Sequence, residues 1–97
     1  MSTQLDDYKA TKRELKRILG TIDELLGDIH SEQDAHSKEK KVAVLKSNVG
    51  QAERTMKELE DQWKILDPVD KNGYKKKTND FRVKYDRYRS QFLQLEY

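Results

Sequence analysis

The sequence predicts an all-α fold, an elongated antiparallel up-down-up bundle of three long helices. Two unbroken heptad seams, a third nearly complete one, and two short polar breaks between them predict it. In the middle of the chain Val42, Leu45, Val49, Ala52, Met56, Leu59, Trp63 and Leu66 are spaced by alternating steps of 3 and 4. A strand would place its buried residues at every second position, so this spacing is helical. Tyr74, Thr78, Phe81, Tyr85, Tyr88, Phe92 and Leu95 repeat the pattern with steps of 4 and 3. The first segment carries Leu5, Tyr8, Leu15, Ile18, Leu19, Ile22, Leu25, Leu26 and Ile29. Leu19 and Leu26 widen that stripe, which suits a helix touching two neighbours at once. Thr11 and Lys12 interrupt it, so the N-terminal end of this helix is expected to fray or face water.

The expected helices cover about residues 4–29, 38–66 and 70–97 of a single domain, 1–97. His30 to Ser37, HSEQDAHS, is polar and aperiodic and reads as a loop, with Ser37 as N-cap of the second helix. Asp67-Pro68-Val69-Asp70 reads as an N-cap, a proline at the first helical position and an acid in the first turn. Gly73 follows, so regular helix is expected only from Tyr74. Connections this short between long helices force antiparallel neighbours. The helical pattern still running at Tyr97 fits the N-terminal part of a longer protein.

Composition narrows the function. Charged residues make up 39% of the 97 and hydrophobic residues 34%, a balance that only the apolar periodicity rescues from disorder. The net charge of +2, from 20 basic and 18 acidic side chains, implies no nucleic-acid partner. There is no cysteine, hence no disulfide framework, thiolate metal site or cysteine nucleophile. No apolar run approaches the roughly 20 residues that span a bilayer, and MSTQLDDYKA lacks the apolar core of a secretory signal.

Chemistry is sparse. His30 and His36, with Glu32 and Asp34 nearby, are weighed as metal ligands and read instead as a polar loop. Gly20, Gly27, Gly50 and Gly73 are isolated, so no phosphate-cradling loop exists. Acid pairs such as Asp6-Asp7, Asp23-Glu24 and Glu60-Asp61 fall on helix surfaces, where nothing raises a carboxyl pKa for acid–base work. The reading is therefore not an enzyme, with no cofactor, no metal and no catalytic residue. Glu60–Lys64 has the favourable i,i+4 order of a helix-surface ion pair. The third segment carries eight basic residues against Asp70, Asp80, Asp86 and Glu96, a local excess of about four charges. Val44, Ile65, Val69, Val83 and Leu93 fall outside the seams. Val69 stands out because it sits at the corner joining the second and third helices, a natural docking point.

These segments resemble the N-terminal three-helix Habc domain of Vti-type SNARE proteins. NVGQAERTMKELEDQW is similar to the family's second helix, and GYKKKTNDFRVKYDRYRSQFLQLEY to its third, with a tyrosine preceding basic residues and further aromatics. LDDYKATKREL fits the first helix more loosely. The resemblance implies an N-terminal regulatory or sorting domain of a vesicle-fusion protein. It implies a SNARE motif that engages other SNAREs and a C-terminal membrane anchor, both beyond this sequence. It also implies a place on the cytoplasmic face of Golgi and endosomal membranes, and sorting by an adaptor with an epsin-like ENTH domain. On that reading Asp23 and Glu24 offer charge to a basic partner, and Val69 and Asp70 offer the corner. The alternatives are a spectrin-like three-helix spacer or other coiled-coil adaptor, a lipid- or nucleic-acid-binding module using the basic third segment, and self-association through the heptads.

Overall fold

A computed structural model describes residues 3–95, and each helix in it begins and ends where local chemistry dictates. Helix α1 spans Gln4–Ser31, α2 Ala35–Lys64 and α3 Pro68–Leu95, with no strand among the described residues. The expected third-helix end at residues 96 and 97 lies outside the described residues.

Thr3 starts α1 with a capping box. Its hydroxyl accepts from the Asp6 amide at 3.1 Å while the Asp6 carboxylate accepts from the Thr3 amide at 3.4 Å. The α1–α2 connection is much shorter than the polar stretch HSEQDAHS. Only Glu32, Gln33 and Asp34 are non-helical; His30 lies in the last turn of α1 and His36 in the first turn of α2. The cap of α2 is Asp34 rather than Ser37, because the Asp34 carboxylate accepts from the Ser37 amide at 2.9 Å. Glu32 fixes this turn by accepting from the Asp34 amide at 3.0 Å and from Lys41 Nζ at 2.8 Å.

The second corner is tighter still. Pro68 opens α3, its fixed φ suiting the first helical position, and the Lys71 amide donates to the Asp67 carbonyl at 2.7 Å. Helix α3 then runs through Gly73 without a break, and none of the described residues has a positive φ. Trp63 explains why this first turn is firm. Its indole N–H donates to the Lys71 carbonyl at 2.8 Å, and the Lys71 ammonium lies 5.1 Å from the ring centroid.

The three seams meet in one core. Tyr8, Leu15, Ile18, Ile22, Ile29, Leu45, Ala52, Met56 and Leu59 are fully buried. Tyr85, Tyr88 and Phe92 close the core from α3, and Leu66 seals the corner. Thr11 does not open the stripe to water: it is buried on the core face, as are Thr55 and Thr78. A threonine can do this because its one hydroxyl returns to the helix backbone, as Thr55 does to the Gln51 carbonyl at 2.9 Å and Thr78 to the Tyr74 carbonyl at 2.7 Å. Leu93 is half-buried against the core, whereas Val44, Ile65, Val69 and Val83 are exposed as expected. The bundle measures 50 × 24 × 16 Å, a rod whose long axis follows the helices.

Helix α2 packs closely on both neighbours, while α1 and α3, which run parallel, approach each other least. Their contact is polar and aromatic. The Tyr8 hydroxyl and Thr78 Oγ1 are 2.6 Å apart and buried. Since Thr78 spends its single proton on the Tyr74 carbonyl, Tyr8 is the donor. The Tyr8 and Tyr74 rings stack tilted, with centroids 5.0 Å apart. Between α2 and α3, Glu60 reaches across to pair with Arg82 through both carboxylate oxygens instead of along its own helix to Lys64. A bidentate guanidinium–carboxylate fork outcompetes a single lysine contact.

Candidate functional site

Asp23, Glu24, Val69 and Asp70 are the residues that the sequence marks for partner binding, and the structure divides them into two pairs. Asp23 and Glu24 lie in the C-terminal half of α1, both exposed. Val69 and Asp70 lie in the first turn of α3, at the corner where α2 ends. That corner borders the opposite end of α1, since Asp70 shares a shallow surface hollow with Thr3, Gln4 and Leu5. Nineteen residues of α1 separate Gln4 from Asp23, about 28 Å at 1.5 Å per residue. Up-down-up topology makes this unavoidable: the α2–α3 corner and the end of α1 stand at opposite ends of the rod.

Each pair has its own character. Asp23 is tied into the fold, accepting from the Tyr88 hydroxyl at 3.1 Å and thereby joining α1 to α3. Burial first, then this bond to a carboxylate, raises the Tyr88 pKa above the ordinary tyrosine value. Glu24 accepts no hydrogen bond from the described residues and projects to solvent. Val69 is 84% exposed, the most exposed of the large apolar side chains, and offers the corner an unburied contact. Asp70 is half-buried beside it and supplies negative charge to the first turn of α3, where the helix dipole favours it.

The sequence marks the basic third segment, but not the grooves in which its side chains lie. One hollow runs along the α2–α3 groove, lined by Trp63, Lys75, Asn79 and Arg82 among others. A second hollow flanks α3 on the side toward α1, with Tyr74, Lys77, Phe81 and Lys84 on its walls. Lys12 of α1 leans over the Tyr74 ring at 5.7 Å, facing Lys77. The signal that would have found this apposition is the seven-residue spacing shared by Lys9 and Lys16 with Lys77 and Lys84, read together with the parallel run of α1 and α3.

No group of three or more histidine, cysteine or acidic side chains among the described residues is arranged to hold a metal ion. Among those residues no helix is long and apolar enough to cross a membrane. The hollows are shallow grooves between helices, with no buried nucleophile–base pair within them. What the geometry offers is therefore a rigid rod with distinct surfaces at its ends and along its grooves.

Neither a curated protein nor a solved structure matches the sequence. A family model does, over residues 1–96: the vesicle transport v-SNARE protein N-terminus. The match spans all three helices and favours the SNARE resemblance over the spectrin-like spacer, so this chain belongs to the vesicle transport v-SNARE family, a non-enzymatic family whose members act in vesicle transport with other SNAREs, and it corresponds to that family's N-terminal region.

Proposed function

We propose that this bundle is a Habc-type sorting and regulatory domain, bound by an epsin-like ENTH-domain adaptor on the Golgi–endosome route. It would act from the cytoplasmic face of those membranes as the N-terminal part of a longer SNARE. The observation that carries the reading is the family match over nearly the whole chain. A pre-formed rod with capped ends and an interlocked core suits recognition of its surface, because little ordering cost falls on binding.

The acidic end of α1 is the first contact assigned to the adaptor. Asp23 and Glu24 present negative charge to a basic partner surface, which speeds encounter and fixes orientation. Val69 and Asp70 form a second contact at the far corner, reached by a partner spanning about 30 Å, the diameter of an ordinary domain. Lysines occupy the α1–α3 groove between the two, so a uniformly basic partner face would be repelled there. The anchor is therefore the α1 end, and the corner is subsidiary.

Titration calorimetry of the 97-residue chain with a purified epsin-like ENTH domain tests this. Glu24→Lys should weaken binding roughly tenfold, about 1.4 kcal/mol, with an unchanged melting temperature. Asp23→Lys should do the same but also lower the melting temperature, since Tyr88 loses its acceptor. Unchanged affinity in both variants would remove these residues from the site.

A further inference from the structure

The α1–α3 groove carries a surface of opposite chemistry to the acidic end. Lys9 and Lys16 are seven residues apart on α1, and Lys77 and Lys84 seven apart on α3. Seven residues are two turns, so each pair stacks on one helix face about 10 Å apart along the axis. Tyr8 touches Thr78 and Asp23 touches Tyr88, which places α1 and α3 in parallel register with the two lysine rows level. Lys12 stands between the rows, over the Tyr74 ring. Partial burial, and then the neighbouring Lys77, Lys9 and Arg13, hold its pKa below the usual lysine value.

Some cations elsewhere in the bundle are ion-paired. Arg17 pairs with Glu14, Lys41 with Glu32, and Arg82 with Glu60 and Asp86. None of Lys9, Lys12, Arg13, Lys16, Lys77 and Lys84 has an ion-pair partner among the described residues. Asp80 lies on the α3 wall of this groove. Six cations gathered from two helices outnumber that counter-charge and repel one another, and an external anionic surface relieves that repulsion.

We propose that this groove face binds an anionic phospholipid surface. The cations are mainly lysines, compact point charges suited to phosphate, set along two parallel helices as a strip rather than around one pocket. Tyr74 and Phe81 lie half-buried among them, where aromatic rings suit the level of lipid headgroups. The family acts in vesicle transport, so a membrane is at hand. An acidic protein would be met by arginine forks more than by lysine rows, and here the strip holds one arginine among six cations. The inference is independent of the adaptor contact at Asp23 and Glu24.

The test is co-sedimentation of the 97-residue chain with phosphatidylcholine vesicles, with and without phosphatidylserine. Binding should require phosphatidylserine and fall with added salt. Each neutralised lysine should lower partitioning about fivefold, so Lys12→Gln with Lys77→Gln should lose roughly 25-fold. Lys40→Gln with Lys57→Gln, on the outer face of α2, should lose far less, because that face points away from the groove. Circular dichroism confirms that both double variants stay folded. Equal binding to both vesicle types, equal loss from the two double variants, or binding to polyglutamate without binding to vesicles would each overturn the proposal.

Discussion

Replacing Tyr8 by phenylalanine deletes one oxygen from the point where α1 and α3 are held together. The ring is fully buried, and its hydroxyl donates to Thr78 Oγ1 at 2.6 Å. The ring keeps its packing on Tyr74 in the variant, so the loss is that of one buried hydrogen bond, about 1 kcal/mol. For a domain of this size about 1 kcal/mol lowers the melting temperature by about 4–8 °C. Tyr85 is the internal control. It is about as deeply buried, yet its hydroxyl has no hydrogen-bond partner among the described residues. Removing an unpaired buried hydroxyl relieves a desolvation cost, so Tyr85→Phe should leave stability unchanged or raise it by up to about 1 kcal/mol. Thr78→Val should cost more than Tyr8→Phe, about 1–3 kcal/mol, because it orphans the Tyr8 donor. The double variant Tyr8→Phe/Thr78→Val should then be no less stable than Thr78→Val alone, since no donor remains unpaired. Chemical denaturation read by circular dichroism measures all four. Equal effects of Tyr8→Phe and Tyr85→Phe, or strict additivity in the double variant, would refute the reasoning.

Other consequences are direct. Leu45→Ala, at a fully buried position, should destabilise by about 2–5 kcal/mol. Val69→Ala should change stability by less than about 0.5 kcal/mol, and urea titration separates the two. Asp34→Ala should lower the melting temperature more than Ser37→Ala, because Asp34 supplies the cap of α2 and Ser37→Ala keeps the amide that donates to it. Burial raises the pKa values of Tyr8, Tyr85 and Tyr88 above the ordinary 10.0. Above pH 10 the unfolded chain therefore holds fewer protons than the folded one, so stability is complete below that pH and falls as pH rises beyond it. A melting temperature flat through pH 10 and above would contradict this.

The helices were legible because burial imposes a period. The steps of three and four from Val42 to Leu66 and from Tyr74 to Leu95 leave no other regular structure, and the core contains those positions. The family was legible too, in the proline-linked second and third helices. Polar residues that serve the interior were harder. Thr11 reads as a gap in a hydrophobic stripe, but a hydroxyl that can turn back to its own helix is buried there. The extent of the first loop was overestimated because its polarity resembles that of capped helix ends, and Asp34 and Ser37 each look like a cap until the geometry chooses. Cross-helix pairs such as Glu60–Arg82 and Tyr8–Thr78 depend on register between distant segments, which no local pattern fixes. For the same reason the sequence does not show that the four candidate contact residues occupy two ends of the rod.

The adaptor contact is tested most directly by recording amide NMR spectra of the isotope-labelled 97-residue chain during titration with an unlabelled epsin-like ENTH domain. The account predicts saturable shifts centred on Asp23 and Glu24, with a weaker set at Val69 and Asp70 and the outer face of α2 unmoved. Spectra that do not change, or shifts confined to the lysine strip between α1 and α3, would contradict it.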